Sequence, residues 1–365
     1  MRAVSACRIR IETILRAGTG SAAVWFGLIA AIGLAGLPSM AQTLATVKVA
    51  SAGIASDIGF FLAHKKGYFR AEGLNVELTQ LANSPQMIGP LGRGQLDVGA
   101  GTVAVGLYNA VERDIALRAV ADKGSMRPGY GFSGLLVRKD LVDSGRFKSF
   151  KDLKGMKIAV GTFGSANASA VNEALKRGGL TWADASMVEL AFPQHLPAHA
   201  NKAIDASMTN EPTSTEAVKQ GVAVRVASND EIYPNQQTAV VLYSELFMRQ
   251  RPQQALGFMR AYIKAVREYN DALQGGRLAG PNAEDVISIL TEYTFIKDPN
   301  THRQITPAAI DPDGRMSLPG LQNDLAFFKQ LRLLQDPAMT VERIIETSIV
   351  DKAVAELGPY RPRGN

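Results

Sequence analysis

Lys48-Val49-Ala50-Ser51 opens a stretch that passes through a Gly/Ser loop and a helical segment to Gly73-Leu74 and then Val76-Glu77-Leu78. About 110 residues later the order recurs, a spacing that marks an internal repeat. Lys157-Ile158-Ala159-Val160 leads through a Gly/Ser loop and a helical segment to Gly179-Leu180 and Val188-Glu189-Leu190. Both copies continue alike. Pro85-Gln86 precedes a helical segment and Gly94-Gln95-Leu96-Asp97-Val98, and Pro193-Gln194 precedes a helical segment and Lys202-Ala203-Ile204-Asp205-Ala206. Each copy closes with a helix and a strand, the strands at residues 117–120 and 223–226. A short strand, a helix of about 15 residues and another strand form the crossover that parallel strands require. Sheets built this way are covered on both faces, so the pattern predicts α/β rather than α+β. Two such units predict two similar lobes, each a mainly parallel sheet flanked by helices.

Outside the repeat, Phe132-Ser133-Gly134-Leu135-Leu136-Val137 and Thr238-Ala239-Val240-Val241-Leu242-Tyr243 read as strands and as the two crossings between lobes. The expected division is therefore a first lobe of residues 42–132 plus 246–365 and a second of 133–245. Leu256, Met259, Ile263, Val266 and Leu273 recur at helical spacing, which marks one buried face. Asn282 is placed to cap a helix whose first turn carries Glu284 and Asp285, and Asp311-Pro312-Asp313-Gly314 reads as a turn. This helical tail is expected to pack against the first lobe.

The chain has 365 residues, 46% hydrophobic and 20% charged, which suits two globular domains. Its basic pI, near 9.3, owes much to residues 1–41. These hold four of the 40 basic residues (Arg2, Arg8, Arg10 and Arg16) and one of the 34 acidic ones (Glu12), so a net of +3 remains without them. No basic stripe interleaves with aromatics, which argues against a nucleic-acid partner. The basic start, the apolar run at 21–37 and Pro38-Ser39-Met40-Ala41 read as a signal peptide cleaved after Ala41. The one cysteine, Cys7, lies within it and ahead of the apolar run. The exported chain is thus expected to lack disulfides and thiol chemistry, to carry no lipid anchor and to work in a periplasm.

Lys66-Gly67-Tyr68-Phe69, Glu72-Gly73-Leu74-Asn75-Val76 and Gly94-Gln95-Leu96-Asp97-Val98-Gly99 resemble segments of periplasmic substrate-binding proteins of ABC importers. The branch is the one serving nitrate, taurine, alkanesulfonates and thiamine-precursor pyrimidines. Leu136-Val137-Arg138-Lys139-Asp140-Leu141, residues 152–160, Ile204-Asp205-Ala206 and Glu211-Pro212 extend the likeness over nearly the whole exported chain. The resemblance implies a two-lobed periplasmic-binding-protein fold, type II-like, that closes on a small solute about a hinge. It also implies an ABC importer permease as partner and a monomeric binding protein.

Ligands of open parallel sheets sit beyond the carboxyl ends of strands, near helix N-termini whose N–H groups favour acceptors. Four loops qualify, and the resemblance places ligand contacts in the same four. They are Gly53-Ile54-Ala55-Ser56-Asp57, Ala100-Gly101-Thr102-Val103, Thr162-Phe163-Gly164-Ser165 and Thr209-Asn210-Glu211-Pro212. The candidate contacts are Gly53, Ile54, Asp57, Gly101, Thr102, Phe132, Phe163, Gly164, Ser165, Asn210 and Glu211. Ser56, Thr102 and Ser165 suit helix capping equally well. Asp57 and Glu211 are acids in loops with no Lys or Arg, which would suit an amine or aminopyrimidine. For Asp57 an N-cap competes with that role, and for Glu211 a carboxylate on its own helix N-terminus. Phe60, Phe132, Phe163 and Phe192 could stack a flat ligand or fill core. Asp97 and Asp205 hold matching repeat positions and read as structural groups that bond turn backbone.

Neither catalysis nor a cofactor is expected. His195 and His199 have four-residue spacing, but Pro197 lies between them and no third metal ligand is evident. One relative of this fold, the pyrimidine-precursor synthase of yeast, is an enzyme, and likeness to it would imply an essential cysteine cluster. A sensor feeding a membrane receptor is the other reading, and would call for an attached signalling segment.

Overall fold

The computed structural model describes residues 43–81 and 84–362. The expected signal peptide lies outside the described residues. Ten strands build two five-stranded sheets. The first contains β1 (Ala45–Ser51), β2 (Leu74–Gln80), β3 (Val98–Thr102), β4 (Leu117–Ser125) and β10 (Gln237–Ser244), in the order β2-β1-β3-β10-β4. The second contains β5 (Ser133–Arg138), β6 (Lys157–Val160), β7 (Ser186–Glu189), β8 (Ala206–Asn210) and β9 (Ala223–Ser228), in the order β7-β6-β8-β5-β9.

The two orders are the same once β1 to β4 are matched with β6 to β9 and β10 with β5. In each sheet the first three strands are parallel, with Val47 opposite Val76 and Ile158 opposite Met187. In each, a strand entering from the other half inserts antiparallel between the third and the edge strand. The repeat read from sequence is thus a repeat of topology. One boundary needs correcting. The run at 238–243 is not the link between lobes but a core strand of the first sheet, so the return crossing lies before Gln237 and not at 245. Between β3 and β4 its backbone is paired on both sides, as a buried strand requires.

Asp97 and Asp205 pin the two sheets in the same way. Asp97 Oδ2 accepts the Lys48 N–H at 2.9 Å, and Asp205 Oδ2 accepts the Lys157 N–H at 3.0 Å. Each also pairs with an arginine, Arg251 on Asp97 and Arg138 on Asp205. Both are structural, as expected, but they bond the backbone of a neighbouring strand, β1 at Lys48 and β6 at Lys157, rather than their own turns.

Helix α1 (Ile58–Lys65) lies under α7 (Pro252–Asp271), with Gly59 against the Tyr262 ring. A Cβ at Gly59 would fall 2.3 Å from that ring, so this contact requires glycine. Phe60, Phe69, Phe258 and Tyr243 form the aromatic core between them. Phe60, a candidate stacking ring, is therefore core. Leu273 falls just past α7 in a short strand, Leu273–Gln274, and is only half-buried. Asn282 precedes α8 (Ala283–Tyr293) but makes no capping bond; its Nδ2 donates to the Glu268 carbonyl at 2.8 Å.

The tail does not pack on the first lobe alone. Helix α9 (Leu318–Gln330) reaches across to the second half, where Phe327 meets Trp182 edge-on at 5.2 Å and Asn323 Nδ2 donates to Glu173 at 3.2 Å. Beneath it, Gln236 Nε2 donates to the buried Asp324 carboxylate at 3.1 Å and to the Ala166 carbonyl at 2.8 Å. Burial pushes the Asp324 carboxyl up to about 7. Among the described residues no helix is long and apolar enough to cross a membrane.

Candidate functional site

The four loops leave the carboxyl ends of β1, β3, β6 and β8. The crossings at 126–132 and 229–236 leave the same edge of the first sheet, so this edge faces the second. A ladder of hydrogen bonds joins the loops. Val103 N–H donates to the Thr238 carbonyl, and Val105 N–H donates to the Gly164 carbonyl, both at 2.9 Å. Ala104 and Ser165 form a single antiparallel bridge between the halves. Asn167 Nδ2 donates to Asn210 Oδ1 at 2.9 Å, and Glu211 N–H to the Phe132 carbonyl at 2.9 Å. The second, third and fourth loops and Phe132 are thereby brought together.

The acids do not stand free. Asp57 turns inward: Oδ1 accepts Lys123 Nζ at 2.7 Å, and Oδ2 accepts Ser51 Oγ and the Ala52 N–H, each at 2.8 Å. Both members of the Asp57–Lys123 pair have side-chain exposure of 0%. Lys123 Nζ also donates to Ser56 Oγ at 2.9 Å. Asp57 is therefore a member of a structural ion pair, because a carboxylate at zero exposure must be paired.

Glu211 shows the same design in the other half. Its Oε1 pairs with Arg225, its Oε2 accepts the Thr215 N–H at 3.0 Å, and its side chain is 4% exposed against 23% for Arg225. Glu211 thus bonds the first turn of the helix that follows it. Arg225 runs over Gly134, where a Cβ would fall 2.9 Å from its Nε, and donates to Ser214 Oγ at 3.1 Å. The expectation that no Lys or Arg serves these loops is corrected: each loop acid has its cation, supplied from β4 and β9. The sequence signal was a charge inside an otherwise apolar strand, as in Ala121-Asp122-Lys123-Gly124 and Ala223-Val224-Arg225-Val226.

The remaining candidates divide. Gly53 takes a positive φ of 69°, donates to Ser51 Oγ at 2.9 Å and lies beneath Phe295. Ile54 stays 40% exposed and Thr102 is exposed. Gly101 is buried against Leu242, which a Cβ would meet at 2.6 Å, so it serves strand packing. Ser165 caps α4 (Ala166–Arg177) by accepting the Ala168 N–H at 3.4 Å. Phe163 faces Trp182 edge-on at 6.2 Å and joins the interlobe aromatic row through Phe327. Phe132 is half-buried, and Phe192 lies against Gly161, where a Cβ would come within 3.1 Å of its ring.

His195 and His199 face β8 from α5 (Phe192–Ala200). His195 Nε2 is 2.9 Å from the Leu190 carbonyl, His195 Nδ1 2.8 Å from Thr209 Oγ1, Thr209 Oγ1 2.7 Å from Ser207 Oγ, and Ser207 Oγ 2.8 Å from His199 Nε2. A carbonyl only accepts, so neutral His195 carries its proton on Nε2 and accepts from Thr209 at Nδ1. Thr209 then accepts from Ser207, and Ser207 from His199 Nε2–H. Every proton in this buried chain is fixed by its neighbour, and His199 Nδ1 is left as an unpartnered lone pair. Burial, then His195 and Arg138, hold the His199 imidazole down to about 4. Among the described residues no His/Cys/Asp/Glu group could hold a metal. Two cavities lie away from the cleft, one of about 340 Å³ beside His64 and Tyr293 and one of about 520 Å³ beside Arg118 and Lys352.

Residues 55–271 match the family described as NMT1/THI5 like. The chain belongs to this family. The match runs from the first loop through β10 to the end of α7, so it takes in every strand of both sheets except β1. This NMT1/THI5-like chain is 26% identical over 245 residues to a Brucella abortus protein described as a binding protein, 66% of this chain and 68% of that one. Over 133 residues it is 32% identical to 4-amino-5-hydroxymethyl-2-methylpyrimidine phosphate synthase of Aspergillus parasiticus, 35% of this chain and 34% of the synthase. A Methylobacillus flagellatus structure described as a periplasmic sulfonate-binding protein of an ABC transporter superposes with a TM-score of 0.67 at 21% identity, covering 88% of this chain and 98% of that one. At that identity the NMT1/THI5-like chain shares its two-sheet fold.

Proposed function

We propose that the protein is the periplasmic solute-binding component of an ABC-type import system. It captures a small organic solute (a sulfonate, a carboxylate or a nitrogen heterocycle) between the two sheets, closes about 126–132 and 229–236, and presents the closed form to a membrane permease. One observation carries this reading: two sheets of identical strand order face each other at their loop-bearing edges, where the segment after β3 bonds the loop after β6. The sulfonate-binding fold neighbour and the Brucella relative support it. With Asp57 and Glu211 each neutralised, the loops offer backbone N–H groups, and these favour acceptor groups of a solute over an amine. Closure follows if the solute binds the closed form better, by as much as that difference in affinity.

The synthase segment favours a second reading, an enzyme acting on a pyrimidine precursor. Thermal unfolding against sulfonates, carboxylates, pyrimidines and amines, with each compound assayed for conversion, separates the two. A solute at about a thousandfold over its dissociation constant adds roughly 4 kcal/mol. A saturable rise with the compound recovered intact supports capture. Conversion of a pyrimidine supports the enzyme, and no rise with any class, after bound solute is removed by unfolding and refolding, counts against capture.

A further inference from the structure

Two of the four large apolar side chains left exposed among the described residues flank one glycine of the first loop. Phe295 is 69% exposed and Ile54 40%. Gly53 lies between them, followed in the chain by Ile54 and covered from above by the Phe295 ring. A Cβ at Gly53 would fall 3.2 Å from that ring and 3.0 Å from Gln80 Nε2, so glycine is what lets the ring lie down on the loop. Phe295 comes from the segment after α8, far along the chain. Yet it lands beside the ends of β1 and β2, on the edge that faces the second half.

The backbone beneath the ring is fixed on both sides. Phe295 N–H donates to the Gly53 carbonyl at 3.3 Å, and Gln80 Nε2 donates to the Tyr293 carbonyl at 2.8 Å. Beyond it the His302 ring bonds the Ile296 carbonyl at 3.0 Å, and Lys297 Nζ covers the Glu292 carbonyl at 2.9 Å. A ring carried on a backbone fixed in this way yet left in water contributes little to folding, while its place at the loop is already set when it meets a ligand. Two side chains fall far short of the roughly 800 Å² per partner of a stable protein interface, so a small molecule is the fitting occupant.

We propose that Phe295 and Ile54 form an apolar lip of the solute site and select solutes whose polar group carries an apolar body, aromatic above all. The inference rests on the reading of the cleft as a solute site. It assigns a specificity role to the helical tail, whose other contacts are packing.

The test is calorimetric titration of the chain, expressed with its own N-terminus, against two matched pairs: methanesulfonate with benzenesulfonate, and acetate with benzoate. The parent should prefer the ring-bearing member of at least one pair. Phe295→Ala should cut that preference roughly tenfold and leave the methyl member unchanged, and Phe295→Tyr should keep it. An unchanged thermal midpoint in both variants excludes misfolding as the cause. Preference intact in Phe295→Ala, or equal loss for both members, overturns the lip. So does a parent that binds the methyl members without preference, or binds neither pair while binding another solute; in both cases capture stands. A parent that binds no solute at all overturns the lip and capture together.

Discussion

Replacing Asp57 by alanine should unfold this protein more readily and should not act chiefly through the solute. Four bonds end on that carboxylate, from Lys123 Nζ, Ser51 Oγ and the Ala52 N–H within 2.8 Å and from the Ile54 N–H at 3.4 Å. Without it Lys123 remains buried with only Ser56 Oγ as partner, and removing one member of a buried pair costs about 3–5 kcal/mol. Asparagine should do little better, because its amide would point a donor at groups that are themselves donors. Lys123→Met should cost less than Asp57→Ala, since Ser51 and Ala52 still solvate the carboxylate. The double variant Asp57→Ala/Lys123→Met should recover part of the loss, with a coupling of roughly 2 kcal/mol. Urea denaturation of the four proteins at pH 7 reads these values. A loss below about 1 kcal/mol in Asp57→Ala, where a buried charge left alone must cost several times that, refutes the structural role and returns Asp57 to the ligand list.

Three further outcomes follow from other contacts. His199 binds no proton in the folded state until pH nears 4, whereas the unfolded chain takes one up near 6.5, so its contribution is full above 6.5 and lost as pH falls from there to 4. That is about 3 kcal/mol by linkage, and His199→Leu should flatten the urea-melt pH profile by that amount relative to the parent. Comparison with the parent is essential, because Asp122 and Asp324, pushed up by burial to about 6 and about 7, destabilise in the opposite direction as pH rises. Asp97→Ala should cost more than Asp205→Ala, about 2 against about 1 kcal/mol in the same melts, since the Asp97 side chain is 7% exposed and that of Asp205 31%. Arg225→Met should leave Glu211 unneutralised beside the cleft. Calorimetry should then show an anionic solute weakened by about fivefold or more and a cationic one not weakened; an equal change for both contradicts the charge assignment.

Much of the fold was legible because backbone periodicity writes directly into sequence. The repeat from Lys48 and Lys157 became two sheets of one order, and the matched Asp97 and Asp205 became matched pins. What stayed hidden depended on partners far along the chain. The run at 238–243 looks like any apolar strand, and which sheet receives it depends on the distant strands β3 and β4 that pair with it. Asp57 and Glu211 looked free because Lys123 and Arg225 are 66 and 14 residues away, and nothing in a loop reveals which strand reaches back to it. Phe295 was unreadable for the same reason: an aromatic after a helix is usually core, and its place over Gly53 depends on how α8 ends. The local bonds of Ser165 and Glu211, capping and helix start, were legible because their partners lie three and four residues away.

The central claim is that one solute engages loops from both halves at once. Amide hydrogen exchange with and without a saturating solute, chosen from the unfolding panel, tests it directly. The account predicts added protection at 53–56, 102–105, 162–165 and 209–212 together, along with slower exchange at 126–132 and 229–236 as the halves close. Protection confined to one half, or centred on the cavity beside His64 and Tyr293, would contradict it.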